Sequence, residues 1–223
     1  MQLQEIVLIG AGGMACEVLD IFDAINNIKL TYEVIGYIVE PGYGVPGTYI
    51  NEKPILGGFE WLEKNKADLK AICAVGAPEL RMRLVKKAAN LGVSFCTVIH
   101  PSAFFTRWVT IGEGSVITAG CILTNHILIG NHVIIDLACT IGHDTVIEDF
   151  AFLAPGVHVS GKCKLGEGCY IGTGANIIEK KNIGSWSVVG AGSTIIIDIP
   201  KNATVVGVTG KVIKYKPDGW HMI

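Results

Sequence analysis

The chain has 223 residues, of which 50% are hydrophobic and 17% charged, a composition that favours a folded protein with a substantial core over a disordered one. Its 18 basic and 20 acidic residues give a net charge of −2, so neither nucleic acid nor a membrane surface is an expected partner. The N-terminal stretch lacks a basic segment, and its apolar run is too short for a signal peptide or a membrane span. We therefore expect a cytoplasmic protein.

Seven cysteines occur without a Cys-x-x-Cys pair and without a dense cluster. This spacing argues against a structural zinc site and against a disulfide scaffold, so we expect reduced thiols.

Residues 1–98 alternate predicted strands and helices. In chain order they comprise a strand in EIVLIG, a helix over 14–25, a strand in EVIGYIV, a loop rich in glycine and proline over 41–54, a short helix near GFEWLEKN, a strand in AICAV, a helix in PELRMRLVKKAANLG and a strand in VSFCTVI. This order predicts a small Rossmann-like α/β domain with a parallel sheet.

A glycine-rich turn, GAGGMA, follows the first predicted strand and fits the pattern G-x-G-x-x-A. Gly10 would form the tight turn, Gly12 would allow a phosphate to approach, and Ala15 would pack the following helix. The unpaired N–H groups at the start of that helix would bind an anion, and Glu40 is far enough along the chain to meet a ribose hydroxyl. A purely structural turn remains the alternative, because the second half of a dinucleotide fold is missing.

A six-residue repeat characterises residues 99–223, which also include a C-terminal tail. Every sixth residue from Ile111 to Ile195 is Ile, Leu or Val, fifteen positions without a break. Such a period predicts a parallel β-helix in which three hexads close a triangular coil of 18 residues and coils stack about 4.8 Å apart. The weaker hexads IHPSAF and FTRWVT predict a partial coil before the fifteen. Cys121, Cys139, Cys163 and Cys169 occupy the small fifth position of their hexads, so we interpret them as packing residues.

Five of the six histidines fall within a window of 59 residues in the repeat, but no two of them are 18 or 36 residues apart, as metal ligands on stacked coils would be. We therefore expect no metal site, and we interpret His126, His132 and His158 as surface histidines. His143 differs because Asp144 follows it, which pairs a base that titrates near neutral pH with an orienting carboxylate. Adjacent side chains on a strand face opposite ways, so this pair requires a turn.

Six segments spread over nearly the whole chain share a pattern with a known family: VLIGAGGMACEVLDIF, PILGGFEWL, AVGAPELRMRL, VIHPSA, TIGHDTVIEDF and VGVTGKVIK. Taken in this order, they resemble the sialic-acid O-acetyltransferase and nucleotide-4-amino-sugar N-acetyltransferase family. The resemblance implies a left-handed β-helix, a homotrimer with active sites between subunits, and acetyl-CoA as the co-substrate. It also implies that the acetyl group passes directly from CoA to the acceptor, without a protein nucleophile.

The resemblance implies a role for specific residues as well. His143 would be the general base and Asp144 the acid that strengthens it. The acceptor, a nucleotide-linked amino-sugar, would meet Gly12, Gly13, Met14, Glu40 and Gly76. Acetyl-CoA would meet Gly161, Thr173 and Ala191, and either its phosphates or solvent would meet Lys201, Lys211, Lys214 and Lys216. Two positions depart from the family pattern, since Met14 and Phe152 stand where histidine is usual.

We therefore predict an acetyl-CoA-dependent N-acetyltransferase that acts on a nucleotide-linked 4-amino-sugar. The alternatives are an O-acetyltransferase of a sialic-acid-like sugar, a non-catalytic trimeric scaffold that binds a nucleotide sugar, and a dehydrogenase that uses the glycine-rich turn.

Overall fold

The computed structural model describes residues 3–222, which form an α/β part followed by a solenoid of short strands. The elements of the α/β part are β1 (Gln4–Ile9), α1 (Gly13–Ile28), β2 (Tyr32–Ile38), β3 (Tyr49–Ile50), β4 (Lys53–Gly57), α2 (Phe59–Asn65), β5 (Lys70–Cys73), α3 (Pro78–Asn90) and β6 (Ser94–Phe95). The three predicted helices are confirmed, α1 being three residues longer at its C-terminal end than its pattern indicated.

One sheet, in the order β3-β4-β2-β1-β5-β6, carries this part, and all of its pairs are parallel except that of β3 with β4. Side chains alternate along β1, so Ile6 and Leu8 pack against α1 while Val7 and Ile9 pack against α2 and α3. Helices on both faces bury β1 and leave the carboxyl ends of the parallel strands along one open edge.

Two sequence predictions in this part are wrong. The segment 41–54 is not all loop, because Asn51 and Glu52 adopt positive φ angles and close a two-residue hairpin between β3 and β4. The segment 93–99 is not one strand: β6 pairs with β5, and the chain then leaves the sheet so that the next strand enters the solenoid. An apolar run carries no sign of this change of partner.

The solenoid has three faces. The first face contains β7 (Val98–Ile99), β10 (Val116–Ile117), β13 (Ile134–Ile135), β16 (Phe152–Leu153), β19 (Tyr170–Ile171), β22 (Val188–Val189), β24 (Ala203–Val206) and β25 (Lys211–Tyr215). The second contains β8 (Phe104–Phe105), β11 (Ile122–Leu123), β14 (Thr140–Ile141), β17 (His158–Val159), β20 (Asn176–Ile177) and β23 (Thr194–Ile195). The third contains β9 (Val109–Ile111), β12 (Ile127–Ile129), β15 (Val146–Ile147), β18 (Lys164–Leu165) and β21 (Asn182–Ile183). A 3₁₀ helix, Trp220–Met222, follows.

The predicted left-handed parallel β-helix is confirmed, and it begins two hexads before the unbroken aliphatic run, with β7 and β8 as the predicted partial coil. Residues 18 apart pair in parallel, as Val116 does with Ile134. Fourteen of the fifteen aliphatic repeat positions are buried in the prism and Ile111 is half-buried. Each buried aliphatic side chain contributes about 1.5–3 kcal/mol of transfer free energy, so this row dominates the stability of the prism.

The cysteines of the fifth position are buried thiols, as predicted. Cys121, Cys139 and Cys163 each donate to a carbonyl oxygen of the following coil at 3.2 Å. Burial raises the pKa of the Cys169 thiol to about 12, which keeps it protonated and unreactive.

The first face of the solenoid carries the α/β part. Its outward residues Val98, Val116, Ile134 and Phe152 join one apolar cluster with α1. The two parts therefore share an apolar cluster. Within residues 3–222, no helix has the length and apolar character needed to cross a membrane.

Candidate functional site

A cavity of about 440 Å³ opens at the carboxyl ends of β1, β2 and β5. All five residues predicted to meet the acceptor line it, namely Gly12, Gly13, Met14, Glu40 and Gly76. The edge beyond the carboxyl ends of parallel strands is the usual ligand position in α/β sheets. The fold therefore brings the predicted acceptor residues together in one place.

The glycines of the turn differ in what they allow. Gly10 has φ +105°, and a Cβ there would lie 2.9 Å from Val75 Cγ2, so only glycine fits. A Cβ on Gly12 or Gly13 would meet nothing within 4 Å, which leaves open space over the start of α1. In the described chain no side chain caps this helix, so its first N–H groups face the cavity and favour an anionic ligand.

The carboxylate of Glu40 already has a partner. Its Oε1 accepts a hydrogen bond from Lys87 Nζ at 2.7 Å, and that ammonium lies 4.3 Å from the ring centroid of Phe59. The lysine fixes the side chain at the cavity rim and leaves one carboxylate oxygen for a ligand hydroxyl.

The two departures from the family pattern lie in one apolar cluster. Met14 is half-buried beside the cavity, and Phe152 is 6% exposed on the first face. The Phe152 ring stacks on Tyr170 with centroids 5.1 Å apart, and a Cβ on Gly76 would lie 3.5 Å from its edge. Both positions therefore present apolar surface, Met14 in the cavity wall and Phe152 behind Gly76.

His143 and Asp144 form a hydrogen-bonded pair at the corner between the second and third faces. His143 Nδ1 lies 2.7 Å from Asp144 Oδ2. Asp144 has φ +59°, and this left-handed turn brings the carboxylate back to the ring, as the pairing requires. Because an ionised carboxylate only accepts, Nδ1 donates this hydrogen bond, and Nε2 has no partner among the described residues. The hydrogen bond from His143 holds the pKa of Asp144 below its usual range.

Gly161, one coil above His143, lies directly against the imidazole. A Cβ at this position would lie 2.8 Å from His143 Nε2, 2.9 Å from Cε1 and 3.0 Å from Cδ2. The predicted acetyl-CoA residue Gly161 thus also makes room for the ring of the predicted base. The side chains of His143 and Asp144 are 60% and 45% exposed in the single chain.

The other predicted acetyl-CoA residues lie at a different corner. Thr173 and Ala191 follow strands of the first face on successive coils, whereas Gly161 follows a strand of the second face. One face of the prism, about six residues or roughly 20 Å of extended chain, separates the two corners. Lys201 pairs with Asp218 at 3.0 Å, and Lys216 Nζ lies 3.2 Å from the Trp220 ring centroid.

The remaining histidines have structural surroundings. His132 is not a surface histidine as predicted: it is 8% exposed between the rings of Phe95 and Phe150, and burial lowers its pKa to about 4. The ring of His158 contacts Thr140 Oγ1 at 2.8 Å. Among residues 3–222, no group of three or more His, Cys, Asp and Glu side chains is arranged to hold a metal ion.

The candidate base and the candidate acceptor cavity lie on different sides of one chain. The cavity belongs to the part that covers the first face, and His143 lies at the corner between the other two faces. A single chain therefore does not bring an acceptor in the cavity to its own His143.

Comparisons with known proteins bear on both parts of the chain. Residues 5–88 match the PglD N-terminal domain, and residues 144–179 match the bacterial transferase hexapeptide (six repeats) family. A search of curated proteins found no match.

Solved structures align with nearly the whole chain. The acetyltransferase domain of PglB from Neisseria gonorrhoeae FA1090 is 31% identical with a TM-score of 0.86, over 94% of this chain and 100% of that one. The chain belongs to the nucleotide-4-amino-sugar N-acetyltransferase family. A mutant perosamine N-acetyltransferase from Caulobacter crescentus, solved with CoA and GDP-perosamine, is 28% identical with a TM-score of 0.86, over 97% and 99% of the chains. WeeI from Acinetobacter baumannii AYE is 27% identical with a TM-score of 0.82, over 94% and 100%.

This acyltransferase has site features that its sequence did not single out. His126 lies one coil below Asp144, with Nδ1 3.8 Å from Asp144 Oδ1, and the spacing of 18 residues was the available signal. Asp136 is 4% exposed at the end of β13, and burial raises its pKa. Arg81, for which nothing was predicted from the sequence, is fully buried. Long-range burial of this kind has no local sequence signal.

Proposed function

We propose that the protein is an acetyl-CoA-dependent N-acetyltransferase that acetylates the amino group of a nucleotide-linked 4-amino-sugar. The observation that carries this proposal is the His143–Asp144 pair, with its 2.7 Å hydrogen bond and its free Nε2, in a chain that also has an uncapped helix start over an open cavity. An acyl acceptor needs a base, and a nucleotide needs an anion site.

In the proposed reaction, the amine nitrogen attacks the thioester carbonyl carbon while His143 Nε2 removes the amine proton. Asp144 holds the Nδ1–H side of the ring and stabilises the imidazolium that forms. The carbon–sulfur bond then breaks, CoA leaves as a thiolate that takes the proton from the imidazolium, and the amide remains on the sugar. The main-chain N–H of Gly161 has no hydrogen-bond acceptor in the described part of the chain, and it is the candidate donor to the oxyanion.

The nucleotide would bind at the glycine-rich turn. Its phosphates would meet the N–H groups at Gly12, Gly13 and Met14, and its ribose would meet the free oxygen of Glu40. Thr173 and Ala191, both small, would border the pantetheine arm. A cytoplasmic location fits both substrates.

The proposed assembly is a homotrimer whose sites lie between subunits. The cavity and His143 lie on different sides of one chain, and Gly161 is separated from Thr173 and Ala191 by a face, so a neighbouring chain is needed to complete the site. Large apolar side chains are exposed on the second and third faces of the early coils, as expected of a surface covered in the assembly: Phe104, Trp108, Ile122 and Leu128.

The catalytic proposal is tested with purified protein, acetyl-CoA and amino-sugars linked to GDP, UDP or dTDP. We expect release of free CoA thiol and a product heavier by one acetyl group that resists mild hydroxylamine, as an amide does and an ester does not. His143→Ala is expected to lower the rate by about 10²-fold or more. The control His100→Ala, which removes an imidazole from the first coil, should retain the rate. A His143→Ala variant with the wild-type rate would refute the role of the base.

The shared site is tested by complementation. Gly12→Leu should fill the cavity and His143→Ala should remove the base, so each variant alone is inactive. Co-expressed chains in random trimers should recover up to about a quarter of the wild-type activity if each site combines two subunits, because one pairing in four is then intact. If mixed trimers of confirmed composition recover no activity, that result contradicts the shared site.

A further inference from the structure

Arg81 is a buried cation at the junction of the two parts of the chain. It lies on the first turn of α3 and is 0% exposed. Its guanidinium donates to five main-chain carbonyl oxygens, those of Val75, Gly76, His132, Phe150 and Ala151. Among the described residues, no carboxylate forms a salt bridge with it. Burial lowers its pKa to about 10, so it remains protonated at neutral pH.

The five hydrogen bonds divide between the two parts of the chain. Nη1 donates to Val75 at 2.6 Å and to Gly76 at 2.9 Å, in the turn that lines the acceptor cavity. Nε donates to His132 at 2.9 Å, on the corner between the third and first faces of the β-helix. Nη2 donates to Phe150 at 2.6 Å and to Ala151 at 3.1 Å, at the same corner one coil above. The guanidinium is planar and rigid, so these bonds fix the turn relative to two coils at once.

Lysine cannot reproduce this arrangement. An ammonium group has three donors at a single point, whereas the guanidinium has five donors in a fixed fork. Arg81→Lys would keep the charge but leave buried carbonyl groups without a donor, and the Val75–Gly76 turn would lose part of its support. Gly76 is also the residue against which Phe152 packs, so a shift of the turn changes the wall of the cavity.

We propose that Arg81 is a positioning residue for acceptor binding: through five carbonyl oxygens it fixes the Val75–Gly76 turn of the acceptor cavity against the β-helix that carries the transfer chemistry. This inference rests on the proposed function only for the identity of the ligand, a nucleotide sugar.

The test compares Arg81→Lys and Arg81→Gln with the control Lys86→Gln, an exposed position on the same helix. For Arg81→Lys we expect a KM for the nucleotide sugar raised by about tenfold or more, a KM for acetyl-CoA within about twofold of wild type, and amide hydrogen exchange at residues 74–77 faster by about tenfold. Arg81→Gln loses more hydrogen-bond donors, so it should raise the KM for the nucleotide sugar and the exchange rate at residues 74–77 further than Arg81→Lys does. Lys86→Gln should match the wild type in all three measurements. An unchanged acceptor KM in folded Arg81→Lys, or an equal rise of both KM values, overturns the proposal.

A second measurement needs no variant and covers the case in which the Arg81 variants do not fold. GDP, UDP and dTDP are added to the wild-type protein, and amide exchange is followed. The one that binds should slow exchange at residues 12–14 and 74–77 and also at residues 131–133 and 150–152, which Arg81 joins to the turn. Protection confined to the α/β part overturns the proposal. If none of the three nucleotides binds, the result counts against the proposed function instead. The amide exchange rate at residues 74–77 in folded Arg81→Lys then still tests whether Arg81 supports the Val75–Gly76 turn.

Discussion

Gly161→Ala tests the geometry around the candidate base with a single methyl group. The added Cβ would lie 2.8–3.0 Å from three atoms of the His143 ring, whereas carbon atoms in favourable contact are about 3.5–4.0 Å apart. Gly161 does not have a positive φ, so alanine causes no backbone strain. The ring is 60% exposed on its own chain and can move away by roughly 0.5–1 Å. That movement stretches its 2.7 Å hydrogen bond to Asp144.

The expected effect is large on catalysis and small on folding. A misplacement of about 1 Å costs about 10²-fold in rate, so we expect a kcat reduced by about 10- to 100-fold, equivalent to about 1.4–2.7 kcal/mol in the barrier. The melting temperature should change by only a few degrees, because the fold can accommodate a displaced surface ring.

A double-mutant cycle separates ring displacement from a direct contact with acetyl-CoA. The release of CoA is measured for wild type, Gly161→Ala, His143→Ala and the double variant. If the methyl group acts through the ring, Gly161→Ala has no further effect once His143 is alanine. If it acts only on acetyl-CoA, the two losses multiply and the KM for acetyl-CoA rises in both backgrounds. A Gly161→Ala enzyme with kcat within twofold of wild type would refute the reasoning.

Three further predictions concern titratable groups. Asp144→Asn keeps a residue that tolerates the left-handed turn but removes the carboxylate, so kcat should fall by about 10²-fold or more while circular dichroism is unchanged. His126→Asn, which changes a group 3.8 Å from Asp144, should lower kcat by less than about fivefold in the same assay. His132 accepts a proton near pH 4 in the folded protein but near 6.5 when unfolded, so it stabilises the fold above pH 6.5 and loses that effect as the pH falls toward 4. Urea unfolding of wild type should therefore show about 2 kcal/mol lost from this group between pH 7.5 and 5, a loss absent from His132→Asn; equal losses in both proteins contradict it.

The sequence predicted those features that local patterns determine. Inward aliphatic residues at every sixth position leave no other regular structure than the β-helix, and the glycine-rich turn after β1 places its helix start where the acceptor residues meet. The Asp144 carboxylate reaches the His143 ring because Asp144 adopts a left-handed backbone conformation, which aspartate tolerates better than most residues. The sequence does not show which residue at a corner of the prism adopts that conformation.

Features that depend on distant parts of the chain were missed. Arg81 hydrogen-bonds carbonyl groups 51, 69 and 70 residues away, and nothing in its helix distinguishes it from the exposed Arg83. His132 was misjudged for the same reason, because the side chain that buries it from the α/β part, Phe95, lies outside the repeat. Hexad position indicates whether a residue faces into the prism, but not which outward residues another part of the chain covers.

The distance between the candidate acceptor cavity and the candidate base separates the packing around Met14 and Phe152 from the geometry of His143, Asp144 and Gly161. Met14 and Phe152 belong to one apolar cluster between α1 and the first face. A histidine in place of Phe152 would bury an imidazole among apolar side chains, which is unfavourable. The corner that carries His143 lies outside this cluster and is not affected by such a change. Under the proposed function, acceptor preference can therefore vary at this cluster without altering the acyl-transfer step.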